Sequence, residues 1–167
     1  MKHLISALSL GALVFGAACA PGPESEHGGP EAEACEHLQE GPSSSHTAGT
    51  DFDGAPDISE PHLRHDVSLI EIVDGNGGSV AYAAGEAGEL YVFLSADIPL
   101  AVYDSSGSPI AIAASEQGSE LCDEVAARHL VGVEVGTYEL RFGPTEATEV
   151  SVVIEPASEA AEPGDGA

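Results

Sequence analysis

Histidine and carboxylate side chains are the residues of this sequence best suited to chemistry. The chain has seven histidines and 29 acidic residues, and imidazoles and carboxylates are ligands that transition metals take. His37 follows Cys35 by two positions, and His129 begins a predicted strand just after Cys122. His62 precedes the first clear strand. A site built from His37, His62 and His129 would bind Zn or Cu through three imidazoles and leave one coordination position open.

The same histidines also have a structural interpretation. His129 shares strand parity with Val131 and Val133, so its ring could lie at the rim of a core and donate to a carbonyl. His62 and His65 are three positions apart, which places them on opposite faces of a strand. No His-x-x-x-His pair occurs in the sequence. Buried or solvated histidines without metal are therefore the alternative to a metal site.

The first 18 residues have the pattern of a signal peptide. Lys2 supplies the positive start, residues 4–15 are apolar, and small residues precede Cys19. The segment Gly16-Ala17-Ala18-Cys19 resembles the lipobox of bacterial lipoproteins, although Gly16 stands where that family prefers Leu. The resemblance implies a lipidated Cys19 and a membrane anchor. The alternative is ordinary cleavage after Ala18 or Ala20, which would give a soluble secreted protein.

The number of cysteines agrees with the lipoprotein interpretation. Three cysteines are odd for an exported protein. If Cys19 carries lipid, Cys35 and Cys122 remain as an even pair, and pairing is the default in an oxidising compartment. We therefore predict a disulfide between Cys35 and Cys122. On the chain-entropy treatment, closing so long a loop stabilises the fold by roughly 4–5 kcal/mol.

The charge balance restricts the partners. Four basic residues against 29 acidic ones give a formal net charge of −25. A surface this negative repels nucleic-acid phosphates and anionic lipid heads, so no nucleic-acid partner is expected. The sequence contains no Gly-x-Ser-x-Gly nucleophile elbow and no Gly-x-x-x-x-Gly-Lys phosphate loop. Catalytic residues are therefore not predicted.

Short β-branched and aromatic runs between Gly, Pro, Asp and Ser predict that residues 35–155 form an all-β, antiparallel β-sandwich of jelly-roll type, with about eight strands. The apolar residues on both faces of 89–95 indicate a central strand. Residues 74–78 are the strongest turn signal, and 118–128 is predicted as loop followed by strand. A flexible tether is predicted for 19–34 and a disordered acidic tail for 156–167, because both are rich in Pro, Gly, Ala and Glu. The predicted strands are 66–73, 79–84, 89–95, 99–104, 109–113, 128–135, 137–142 and 149–155.

Three of these strands carry a resemblance to a known family. They read Gly-Glu-Leu-Tyr-Val-Phe-Leu (88–94), Leu-Ala-Val-Tyr-Asp-Ser-Ser-Gly (100–107) and Val-Gly-Thr-Tyr-Glu-Leu-Arg-Phe (135–142). This order resembles bacterial pre-peptidase C-terminal domains, which are small jelly-roll sandwiches attached to secreted enzymes. The resemblance implies an accessory module. Here that module would be nearly the whole chain.

Together these features predict an exported, lipid-anchored, non-catalytic binding or structural module of the bacterial cell envelope. Its membrane partner would be reached through the anchor, as in an outer-membrane lipoprotein that faces the periplasm or the cell surface. A protein or small-ligand partner cannot be named from the sequence. The alternative is a periplasmic metal-binding protein that uses the histidine cluster.

Overall fold

The computed structural model describes residues 28–157 of the chain. The predicted signal peptide (1–18), Cys19, the first part of the predicted tether (19–27) and residues 158–167 of the predicted tail lie outside the described residues. Within the described range, no helix is long and apolar enough to span a membrane. The secondary structure there is mainly β.

The described residues form one α-helix, a 3₁₀ turn at Phe52–Gly54 and eleven strands. In chain order these are α1 (Gly29–Glu40), β1 (Ser43–Thr47), β2 (Arg64–Ser68), β3 (Ile70–Ile72), β4 (Gly75–Ala84), β5 (Gly88–Leu94), β6 (Leu100–Asp104), β7 (Pro109–Ile110), β8 (Ile112–Gln117), β9 (Ala127–Val133), β10 (Gly136–Thr145) and β11 (Glu149–Pro156).

The strands form two sheets that pack into a sandwich, which confirms the predicted fold class. The six-stranded sheet has the order β1-β2-β11-β5-β9-β8, and the five-stranded sheet has the order β3-β4-β10-β6-β7. All neighbouring strands pair antiparallel except β1 and β2, which are parallel. The position of β5 inside the six-stranded sheet agrees with its apolar residues on both faces.

The strand count differs from the predicted eight for local reasons. The predicted strand 66–73 is divided into β2 and β3, which lie in different sheets, and the chain crosses between them at the buried Leu69. The strand β1 was not predicted because its sequence is Ser-Ser-Ser-His-Thr. Most of β8 was missed because nearly all of its side chains are exposed, so it has no apolar alternation.

The main core lies between the two sheets and follows the period-2 alternation of the strands. On β10, Tyr138, Leu140 and Phe142 point inward, as the sequence predicts. A second, smaller apolar cluster lies on the outer face of the six-stranded sheet, beneath α1. It consists of Ala34, Cys35, Leu38, Phe93, Val125 and Val153.

The helix α1 corrects the N-terminal prediction. Residues 29–34 were predicted as tether and 35–42 as a turn or strand lead-in, and both predictions are wrong. Pro30 in the first turn and the Gly41-Pro42 stop are helix-boundary signals. They frame a narrow apolar stripe that ends at Leu38, and burial of this stripe against the sheet orders the segment.

The glycines after Asp74 are also placed differently from the prediction. The turn occupies Val73 and Asp74, and β4 already begins at Gly75. A Cβ on Gly77 would lie 2.5 Å from the backbone oxygen of Phe142. These glycines are therefore explained by the close approach of β4 to neighbouring backbone, not by a longer turn.

Candidate metal site at the helix–sheet junction

Four side chains meet where α1 crosses the end of β11. Glu33 and His37 are one turn apart on the helix, so they share its face. Glu155 lies on the outer face of β11, paired with Tyr91 of β5. His62 comes from the turn that precedes β2. The helix, a turn and a strand thus each contribute to one group.

The donor atoms of this group lie close together. One ligand atom from each of Glu33, His37, His62 and Glu155 lies within 4.8 Å of all the others. His62 Nδ1 donates to Glu33 Oε1 at 3.0 Å. His37 Nε2 lies 3.8 Å from Glu33 Oε1 and 3.8 Å from Glu155 Oε1.

These separations are near those of a tetrahedral metal site but are not identical to them. Four ligands at about 2.0–2.1 Å from a Zn²⁺ ion are about 3.4 Å from one another. The measured nitrogen–oxygen distances of 3.0 Å and 3.8 Å fall on either side of that value. Two imidazoles and two carboxylates also form a donor set that Zn²⁺ accepts. Small side-chain movements would therefore complete the shell.

Glu155 is the most unusual member of the group. Its side chain is only 3% exposed, and Oε1 is buried with no hydrogen-bond partner among residues 28–157. Burial raises the pKa of Glu155 from 4.5 to about 7, the nearby Glu33 carboxylate adds to the rise, and His62 opposes it. A buried, unpaired carboxylate oxygen is costly, and a cation would satisfy it.

The two histidines are positioned by special backbone features. A Cβ on Gly41 would lie 2.6 Å from the Cα of His37, so glycine is needed where the helix ends against this residue. His62 has φ 56°, in the left-handed region that non-glycine residues seldom adopt. Such conformations are concentrated at functional sites. His62 and Glu155 also line a cleft of about 130 Å³.

The predicted trio of His37, His62 and His129 is only partly brought together. His37 and His62 are neighbours, with ring centroids 6.0 Å apart. His129 of β9 pairs with Val92 of β5, whose side chain faces the main core, so His129 also faces inward. The helix α1 covers the outer face of that sheet. His129 Nδ1 instead lies 2.8 Å from Ser115 Oγ, and burial lowers the pKa of its imidazole. The inclusion of His129 in the site is therefore corrected.

Two further histidines form a separate pair at the sheet edge. His46 Nε2 lies 3.2 Å from His65 Nδ1, and His65 Nε2 donates to the Glu60 carbonyl at 3.2 Å. Burial lowers the pKa of His65. His62 lies in the turn before β2 and His65 lies in β2, so the prediction that their spacing puts them on opposite faces of a strand does not apply. Among the described residues, only the Glu33, His37, His62 and Glu155 side chains form a group suited to metal.

The predicted disulfide is confirmed. Cys35 and Cys122 are joined at an S–S distance of 2.09 Å, with their Cα atoms 5.9 Å apart. Cys35 lies on α1 between the two donors Glu33 and His37. The bond ties the helix to the segment that leads into β9, and so supports the position of the helix over the sheet.

Sequence reasoning missed the two carboxylate ligands. Glu33 could be found from its spacing, because it lies four residues before His37 and would share its helical face. This signal requires the helix to be recognised first. Glu155 has a weaker signal: Val153 on the same face of the strand indicates that this face is covered, so an acidic residue there is buried.

No protein-family model matches this chain, and no curated protein matches it. The resemblance to pre-peptidase C-terminal domains stays a prediction, and the case for function depends on the site itself.

Proposed function

We propose that this protein is an exported, non-catalytic module of the bacterial cell envelope that binds one divalent transition-metal ion at the helix–sheet junction. The observation that carries the proposal is the convergence of Glu33, His37, His62 and Glu155, with donor atoms within 4.8 Å of one another. The buried Oε1 of Glu155 supports it independently, because that oxygen accepts no hydrogen bond from the part of the chain that the structure describes.

Zn²⁺ is the metal that this donor set favours. Its tetrahedral shell accepts nitrogen and oxygen ligands, and structural sites use four protein ligands. Cu²⁺ prefers a tetragonal arrangement of similar ligands and is the second candidate. With all four side chains bound, no position is left for a substrate or an activated water. The proposed role is therefore metal binding that fixes α1 to the sheet, without catalysis.

Export is supported by chemistry away from the site. The Cys35–Cys122 disulfide suits an oxidising compartment. The apolar N-terminal segment and the small residues before Cys19 are typical of an exported, lipid-anchored protein. The net charge of −25 is compatible with a soluble domain in a medium that contains divalent cations, and unfavourable for binding nucleic acid.

The proposal is tested by metal analysis of protein purified without a histidine tag, followed by competition titration against a chromophoric chelator. We expect one equivalent of Zn²⁺ for the wild type. His62→Asn should weaken Zn²⁺ binding by at least about tenfold, since ligand-shell changes commonly cost 10–100-fold. Asn is chosen because it tolerates the left-handed backbone of His62.

His129→Gln is the matched control, because His129 is a buried histidine on the opposite face of the same sheet. Its substitution should leave Zn²⁺ stoichiometry and affinity unchanged. The proposal is wrong if the wild type binds no Zn²⁺ or Cu²⁺, or if the two variants weaken binding equally.

A further inference from the structure

We propose that the metal site and the Cys35–Cys122 disulfide are energetically coupled, so that reduction of the disulfide releases the metal and bound metal protects the disulfide. This inference rests on the proposed metal site and describes its regulation. It starts from one placement: Cys35 lies on α1 between Glu33 and His37 in sequence, so the residue that is covalently tied lies within one helical turn of two of the four donors.

The disulfide and the metal donors hold α1 from different sides. Cys122 precedes β9, whereas Glu155 is on β11 and His62 precedes β2. In the sheet order β2-β11-β5-β9, the disulfide lies near β9, and the donors Glu155 and His62 lie on or near β11 and β2. The strand β5 lies between β9 and β11, beneath the helix. The disulfide therefore fixes one side of the helix, and the metal would fix the other.

The remaining contacts of α1 are few. The helix has 12 residues, a length at which isolated helices are marginal in water. Its apolar contact is the small cluster around Phe93 and Val153. Polar contacts come from Arg128 to Glu31, from Arg64 Nη1 to the Leu38 carbonyl at 3.0 Å, and from Gln39 to Glu124. Without the disulfide, the helix would undock more often and would disperse the four donors.

The disulfide is covered but close to the surface. Cys35 is 7% exposed and Cys122 is half-buried, and Cys35 lines an open cleft of about 310 Å³ beside the exposed Leu121. A protein dithiol would attack one sulfur through a thiolate and form a mixed disulfide, and its second thiol would resolve it. The balanced products are the oxidised dithiol and free thiols at Cys35 and Cys122. Two electrons and two protons pass to this protein.

Coupling between two sites is reciprocal. If disulfide formation strengthens metal binding by some factor, metal binding must favour the disulfide by the same factor. Couplings of this kind are typically about 5–150-fold. Both directions can be measured on the full-length protein.

The first arm compares Zn²⁺ affinity of the wild type and the Cys35→Ser/Cys122→Ser variant by chelator competition. We expect a loss of roughly 5–150-fold in the variant, with the strand signal in far-ultraviolet circular dichroism unchanged. Gln39→Ala is the matched control, because it removes an exposed contact between the same helix and the same segment. It should leave the affinity nearly unchanged.

The second arm measures how much of the wild-type disulfide a fixed concentration of a phosphine reductant opens, with thiols counted by alkylation and mass spectrometry. Zn²⁺ should lower the reduced fraction in the wild type but not in His62→Asn, which controls for binding of Zn²⁺ by the reductant. This arm decides the question on its own if the double serine variant fails to fold.

The possible results separate the two proposals. If the wild type binds Zn²⁺, and the folded serine variant binds it equally well or Zn²⁺ leaves reduction unchanged, the coupling is refuted while the metal site stands. If the wild type binds no metal, the proposed function itself fails. If Gln39→Ala weakens binding as much as loss of the disulfide does, the disulfide has no special role and the coupling is again refuted.

Discussion

The fold keeps a single carboxyl, that of Glu155, in an unfavourable buried environment. Glu155 is 2% exposed, and it faces Glu33, His37 and His62. Burial raises its pKa to about 7, so near neutral pH the metal-free protein holds this carboxyl close to its titration midpoint. A dication would favour the ionised form. Metal binding should therefore release protons between about pH 6 and 8.

The same pKa predicts how stability depends on pH. The folded protein binds more protons at Glu155 than the unfolded chain between pH 4.5 and about 7. The free energy of unfolding of the metal-free protein should therefore fall as pH rises through this window. Glu155→Gln should flatten that slope and stabilise the metal-free protein at pH 8 by on the order of 2 kcal/mol. Urea unfolding at pH 5 and pH 8 measures both effects.

Glu149→Gln is the control for this measurement, because Glu149 is an exposed acidic residue of the same strand. It should leave the pH slope as in the wild type. Equal slopes in the wild type and Glu155→Gln would show that the carboxyl of Glu155 is not responsible.

At the scale of elements, β4 depends on the absence of a side chain. A Cβ on Gly77 would meet the backbone oxygen of Phe142 at 2.5 Å and the Ile72 Cδ1 atom at 2.6 Å. The backbone oxygen belongs to β10 and cannot move without disturbing the paired strands. Gly77 thus allows the close approach of β4 and β10.

Gly77→Ala should therefore lower the free energy of unfolding by about 1–3 kcal/mol, the usual cost of forcing extra volume into a packed site. Gly132→Ala is the control: Gly132 lies in β9, and an added Cβ there would contact nothing within 4 Å. Chemical denaturation of both variants checks the prediction. A loss of stability as large in Gly132→Ala would contradict it.

The sequence predicted those elements whose burial follows a simple period. Tyr138, Leu140 and Phe142 alternate with polar residues, so β10 could be found directly. The helix α1 was missed because it contains four glutamates and is flanked by glycines, and only three of its residues are buried. So few buried residues give no clear helical period in the sequence. Half of the site was missed for the same reason. His37 and His62 were named from their type and from their positions near Cys35 and before the first clear strand, whereas Glu33 and Glu155 become candidates only once the helix covers the sheet.

At the scale of the molecule, the six-stranded sheet uses both faces. Its inner face forms the main core, and its outer face receives α1 and the candidate metal site. The predicted anchor at Cys19 lies outside the described residues, close in sequence to the start of this helix. If Cys19 is the anchor, α1 is the first described element after the membrane attachment along the chain, and it carries two of the four candidate metal ligands.

The anchor is tested by labelling cells with palmitate. The expressed protein should incorporate the label, and Cys19→Ser should abolish incorporation and release the protein into the soluble fraction, because it removes the thiol that would carry the lipid. Cys122→Ser is the control, since that cysteine belongs to the disulfide and should not affect labelling. Persistent labelling of Cys19→Ser would contradict the anchor.

The covalent bond between Cys35 and Cys122 also determines how the domain would respond to mechanical load. A pull applied across the two ends of the described chain passes from residue 35 directly to residue 122. The two cysteines are 87 positions apart, and the segment between them contains β1 through β8. This segment lies outside that force path. Stretching could extend residues 28–34 and 123–157, which include β9 to β11, whereas the strands enclosed by the bond would carry no tension along the chain for as long as the bond stays oxidised.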